Sequence, residues 1–289
     1  MRIHHTFFVL VFCLALTGPV LAQENSKPRI ALAAHSYHEL NLNRLLPRAA
    51  KLGVERMEFS DRHFSVFASD RDIERMRYEF RKNGITPVST FTAFFSEDEA
   101  ANRRIFEVAK ALRLEFIAAV PHPALLPGLS RLVEEFGVGL AVHNGAPSEP
   151  YGTLDKVLAV LAEYPVIDTV ADVGYYAKAG TDPAEAVRRL AATGRLREIH
   201  AKDLINLTMP EEEQPYTVVG SGVLDWPAIA RAIEETGYDG LVTLEYTGQF
   251  WDYLEREPKL AASLGYLRGL FAGEGANDST TAKRPDLRN

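Results

Sequence analysis

The sequence predicts a closed (β/α)8 barrel, on three observations. Short apolar runs alternate with amphipathic helical patterns from Arg29 onward, and eight such runs are present. No glycine-rich phosphate turn follows the first run, as it would in a doubly wound open sheet; the chain reads Ala34-His35-Ser36-Tyr37-His38 there. Beyond the first 22 residues about 265 remain, the usual size of one such barrel. The predicted strands are Ile30–Ala34, Val54–Phe59, Thr86–Thr90, Phe116–Val120, Val138–His143, Val166–Asp172, Arg197–Lys202 and Leu241–Glu245.

Helix signals fall between them. Ser69 with Asp72 three residues on opens a helix striped by Ile73, Met76 and Phe80, and Gly84 follows its end. Ser96 and Glu99 make a capping-box pattern before Ile105, Val108 and Leu112. A short fourth helix is expected near Leu129–Phe136. Asp182-Pro183 reads as a cap followed by proline at the first helical position, and Asp225 caps a helix bearing Ile229 and Ile233 that ends before Gly237.

The N-terminus has the three parts of a secretory signal: Arg2, the apolar run Phe7–Leu16, and Val20-Leu21-Ala22 before Gln23. The run is shorter than the roughly 20 residues that span a bilayer. The expectation is therefore a signal peptide over 1–22, a linker over 23–28, one barrel over 29–272 and a disordered polar tail over 273–289. The mature protein is expected to be exported, periplasmic or secreted, with no membrane attachment after cleavage. Cleavage removes Cys13, the one cysteine, so no thiol or disulfide remains. It also removes Arg2, the only charged side chain in that segment, and takes the net charge from −7 to −8. Such a charge disfavours nucleic acid as a partner. The composition is compatible with a monomer or an oligomer.

In a barrel of this kind side chains at the carboxyl ends of the strands converge on one pocket. Those ends carry His35, Glu58, His122, His143, Asp172, His200 with Lys202, and Glu245. Two-residue alternation puts His200 and Lys202 on one face, and turns Thr243 and Glu245 inward while Val242 and Leu244 face the helices. A lone histidine is more often a satisfied buried group than a ligand. The quartet His143, Asp172, His200 and Glu245, ending strands five to eight, instead suits one divalent metal ion such as Mn, Zn, Co or Mg.

Five segments resemble those of the xylose-isomerase-like barrels, the sugar phosphate isomerase/epimerase family, which shares its fold with the family-two AP endonucleases. They are Gly139-Leu-Ala-Val-His143-Asn144, Ala171-Asp172-Val-Gly174, Ile199-His200-Ala-Lys202-Asp203, Gly220-Ser-Gly222-Val-Leu-Asp225-Trp226 and Gly237-Tyr-Asp-Gly-Leu-Val-Thr-Leu-Glu245. The resemblance covers nearly all of Arg29–Leu270. It implies metal-ligand roles for Asp172, His200 and Glu245. The family's glutamate at the end of strand five is His143 here, which puts a two-glutamate epimerisation in question. The family's Asp-x-x-His pattern becomes Asp172-Val-Gly-Tyr175.

Glu245, Lys202, Glu58 and His122 are the candidate catalytic residues, and His35, Asn144, Tyr175 and Trp226 the candidate substrate-binding ones. Tyr176, Phe250 and Trp251 are further candidates for the pocket wall. The bland alternatives are a structural pairing of Glu58 with Arg56, a salt bridge from Lys202 to Asp203 or Glu198, and loop packing for His122 and His35. Gly220 and Gly222 suit a tight loop and not a phosphate loop, since no Gly-Lys-Ser follows.

These residues predict a metal-dependent sugar isomerase or epimerase that abstracts a proton beside a carbonyl of a sugar or keto-sugar. The second reading is a lyase or hydratase acting by β-elimination on 3-keto-glycosides or related keto-sugars. His143 favours it, because elimination manages with one base. A non-catalytic carbohydrate-binding protein would keep the aromatics but need no metal quartet. In each case the partner is a small-molecule carbohydrate, and export favours an unphosphorylated one.

Overall fold

The fold is described from a computed structural model covering residues 27–63, 65, 67–210, 213, 215–247 and 253–272. The expected signal peptide, the tail from Gly273, Phe250 and Trp251 lie outside the described residues, as does most of the linker.

Eight strands form: β1 (Arg29–Ala33), β2 (Arg56–Ser60), β3 (Thr86–Thr92), β4 (Phe116–Ala119), β5 (Gly139–His143), β6 (Ile167–Asp172), β7 (Leu196–Ala201) and β8 (Leu241–Leu244). They are parallel, pair in sequence order, and close into a barrel where β8 meets β1. The helices are α1 (Leu42–Lys51), α2 (Asp70–Asn83), α3 (Glu99–Leu112), α4 (Leu126–Phe136), α5 (Leu154–Glu163), α6 (Val173–Lys178), α7 (Pro183–Ala191), α8 (Trp226–Thr236) and α9 (Tyr253–Phe271). Among the described residues no helix is long and apolar enough to cross a membrane.

Local chemistry explains the boundaries. The Ser69 hydroxyl accepts from the Asp72 amide at 3.2 Å to start α2, and Gly84 ends it with φ +66°. At α3 the cap is Asp98 and not Ser96: its carboxylate accepts from the Ala101 amide at 3.1 Å. The Ser96 backbone is engaged with the Asn102 side-chain amide, donating to it at 3.1 Å and accepting from it at 2.8 Å. The fourth helix starts at Leu126, three residues before the expected Leu129, after a 3-10 turn over Pro123–Leu125.

The alternation sorts each strand between two apolar regions. Leu32, Met57, Phe59, Leu140, Val142, Ile199, Val242 and Leu244 face outward into the layer shared with the helices. Ala31, Val88, Phe116, Ala118, Ala141, Val170 and Leu241 form a smaller cluster inside the barrel. Their alternation partners Glu58, His143, Asp172, Glu198, His200 and Thr243 therefore share the interior.

Candidate active site

A cavity of about 420 Å³ is lined by His35, Glu58, Ser60, Phe91, His143, Tyr175, His200, Lys202 and Glu245, with Val120, Gly145 and Glu149 completing its wall. The register explains the convergence. Asp172 pairs with His200 across β6 and β7, His200 pairs with Thr243 across β7 and β8, and the Glu245 amide donates to the Ala201 carbonyl at 3.1 Å just past the end of β8.

His200 stands at the centre, 2 % exposed. Its Nδ1 lies 3.1 Å from His143 Nε2 and 3.0 Å from a Glu245 oxygen, and its Nε2 lies 3.3 Å from Glu58 and 3.6 Å from Glu198. Burial alone would lower its pKa, but Glu58, Glu198 and Glu245 outweigh that and hold it well above the usual histidine range. His143 is pushed down to about 4, first by burial and then by the neighbouring His200. Glu58 is pushed up to about 8 by burial and by the nearby Glu198 carboxylate.

Lys202 ties the other side together. Its Nζ lies 2.8 Å from Asp172 and 3.2 Å from Glu245, and not against Asp203 or Glu198. Burial opposes its charge, yet Asp172 and Glu245 hold its pKa well above the lysine range. Burial would likewise raise Glu245; Lys202 and His200 hold it well below the carboxylate range instead. Each charge is thus kept by its partner, as buried ions must be.

Asn144 orients Asp172. Its side-chain oxygen accepts from the Asp172 amide at 2.7 Å and its nitrogen donates to the Asp172 carbonyl at 3.0 Å. Both ends of the amide are so engaged, tying the end of β5 to the end of β6, and Asn144, expected to bind substrate, does not line the cavity. The Asp172 carboxylate also caps α6, accepting from the Tyr175 amide at 3.0 Å.

His143, Asp172 and His200 each offer a ligand atom, all within 4.8 Å of one another, and all three are buried. Two imidazoles and a carboxylate fit a divalent ion: the neutral His143 keeps a lone pair for it, and His200 would give up a ring proton on binding. Glu245, the fourth expected ligand, lies outside that tight set but beside His200 and Lys202.

The structure brings together His35, Glu58, His143, Asp172, Tyr175, His200, Lys202 and Glu245. It sets others aside. His122 is exposed and does not line the cavity; its Nδ1 accepts from the Ala124 amide at 3.3 Å and caps the 3-10 turn. Trp226 is fully buried in the outer apolar layer, because the first turn of α8 packs on the outside of the strands. Tyr176 lies in the same layer. Arg56 reaches Glu55 at 3.4 Å, leaving Glu58 to the interior.

Glu198 was not anticipated as a site residue. It is fully buried, accepts from the Thr243 hydroxyl, and forms a second tight set with Glu58 and His200. The signal was present: Glu198, His200 and Lys202 are spaced by two on one strand. The same spacing joins Ser60 to Glu58 on β2.

The sequence model of the xylose isomerase-like TIM barrel family matches residues 46–270. The chain belongs to this family. Among curated proteins it is similar to the rhizopine catabolism protein MocC of Rhizobium meliloti, 29 % identical over 157 residues, half of this chain and 45 % of that one. An inosose dehydratase of Lacticaseibacillus casei is 27 % identical over 138 residues, 42 % of this chain and 45 % of that one. The chain thus spans under half the length of these relatives. Among solved structures, a zinc-bound IolI protein superposes with a TM-score of 0.70 at 17 % identity, covering 84 % of this chain and 98 % of that one. D-psicose 3-epimerase of Clostridium cellulolyticum H10 gives 0.66 at 16 % identity, covering 84 % and 99 %. At these identities the structural likeness establishes the fold.

Proposed function

We propose that this family member is a divalent-metal-dependent isomerase or epimerase that abstracts a proton beside the carbonyl of a sugar or keto-sugar. The observation that carries the reading is the cavity where Glu245, Lys202 and Glu58 surround the His143–Asp172–His200 set. An ion bound there, Mn, Zn, Co or Mg, would supply Lewis-acid polarisation of the carbonyl. Glu245, kept ionised by Lys202 and His200, receives the proton. Lys202 donates toward the oxygen on which negative charge develops. Glu58, on β2, presents a carboxyl group from another wall for proton return.

A second reading is supported by one feature of this chain. His143 stands where the family often has glutamate, so one carboxylate is missing from a two-glutamate exchange. β-Elimination from a keto-sugar needs only one base, and the name inosose dehydratase among the relatives agrees with it. We also infer that the protein acts outside the cytoplasm, on an unphosphorylated substrate, from the signal-like residues 1–22. N-terminal sequencing of exported protein is expected to start near Gln23; an intact Met1 on a cytoplasmic product would refute it.

Incubation with candidate keto-sugars in deuterium oxide tests the reaction. Deuterium should enter a carbon-bound position, and Glu245→Gln should cut incorporation by about 100-fold or more. A product of unchanged mass apart from deuterium means isomerisation or epimerisation; an unsaturated product with loss of water or an aglycone means elimination. Full activity in both Glu245→Gln and metal-stripped protein would end the proposal.

A further inference from the structure

Ser60 and His63 form a buried pair at the pocket wall. Ser60 is the last residue of β2, faces the interior with Glu58, and lines the cavity. Its Oγ lies 3.0 Å from His63 Nδ1, and His63 Nε2 lies 3.4 Å from the Tyr37 carbonyl oxygen. A carbonyl oxygen only accepts, so Nε2 carries the proton of that contact. Burial pushes the His63 pKa down to about 4, so the ring is neutral and has one proton to place. Nδ1 is then a bare acceptor, and the Ser60 hydroxyl donates to it. Only the lone pairs of Ser60 are left for the cavity.

We propose that Ser60, with its hydroxyl proton held by His63, is a specificity-determining acceptor for one hydroxyl group of a polyhydroxylated keto-sugar. A freely turning serine would meet a hydroxyl, an ether or a carbonyl oxygen equally well. Ser60 meets only a donor. A deoxy or O-methyl substrate offers no donor there and leaves the buried Ser60 lone pairs unmet, which is where a polar site gains its discrimination. His63 touches no substrate and acts through Ser60 as a positioning residue; its ring is fixed by the Tyr37 carbonyl behind it and the edge-on Phe59 ring beside it, with centroids 6.3 Å apart. The inference rests on reading the pocket as a keto-sugar site.

Two measurements test it, with 2-keto-myo-inositol and its mono-O-methyl ethers as probes. Nitrogen NMR of labelled protein should show His63 protonated at Nε2, with the Nδ1 signal moving in Ser60→Ala. A ring protonated at Nδ1 would overturn the proposal whatever the substrate. In kinetics Ser60→Ala should raise KM for the parent ketone about 10- to 100-fold with a smaller change in kcat. It should also erase the preference over one particular ether. His63→Phe, which frees the hydroxyl to turn, should lose much of that preference while keeping more of the binding. Wild-type KM and preference in a folded Ser60→Ala protein would overturn this proposal alone. Failure of the wild type to bind any keto-polyol would overturn the keto-sugar reading and this one together.

Discussion

His200 shows how much one side chain depends on its surroundings here. With His143 and Glu245 at one ring nitrogen and Glu58 and Glu198 at the other, it belongs to both tight sets of potential ligands. Asp172→Asn keeps the cap on α6 but weakens the negative ligand. Bound metal per chain, measured by atomic absorption after dialysis, should fall at least about tenfold while circular dichroism shows the barrel still folded, with a lower melting temperature because Lys202 loses a buried partner. His63 makes a separate prediction. Its folded pKa of about 4 lies below its unfolded value of 6.5, so the unfolded chain binds more protons between those pH values. Stability therefore falls as pH drops below about 6.5 and the loss levels off below about 4. The His63 contribution from pH 7 to pH 5 is about 2 kcal/mol. Urea titrations at both pH values should show that loss, and His63→Phe should remove its share.

At the scale of elements, the connection from β7 to α8 is organised by one carboxylate. Asp203 accepts from the backbone amides of Leu204, Gly220, Gly222 and Leu224, at 2.9, 2.9, 3.0 and 3.2 Å. Gly220 has φ +88°, and a Cβ at Gly222 would run into the Asp203 carboxylate and the Leu204 carbonyl. The tight loop foreseen from the two glycines is therefore present, and its cause is Asp203. Asp203→Ala should cost about 2 kcal/mol in urea unfolding, since the buried Leu204 amide and the three part-buried amides lose their acceptor at once. It should also lower activity, because Lys202 is the preceding residue. Gly222→Ala should do the same by collision, and the pair should be less than additive. The helix α6 was not foreseen, since six residues are too few to show a helical period.

At the scale of the molecule, closure makes every strand a neighbour of two others. Leu32 on β1 is fully buried in the outer layer, and its strand pairs with both β2 and β8. Leu32→Ala should destabilise the barrel by about 2–5 kcal/mol in equilibrium denaturation. The loss should appear at one shared midpoint for circular dichroism and tertiary probes if the closed sheet unfolds as a unit.

The sequence by itself determined the eight strands, their inward and outward faces, and the polar residues at their carboxyl ends. Those features are local: strands alternate with a period of two and helices with 3.6, and both periods are written in neighbouring residues. Thus His200, Lys202 and Glu245 could be placed on interior faces without coordinates. Only the tertiary structure decided what each inward group meets, because that depends on stagger between strands and on the curvature of a closed sheet. It put Lys202 against Asp172 and Glu245, made Asn144 a support for Asp172, and brought Glu198 beneath His200. It turned Trp226 outward with the first turn of α8 and left His122 to cap a turn. Contacts between residues more than a hundred positions apart, such as Glu58 with His200, exist only once the barrel has closed.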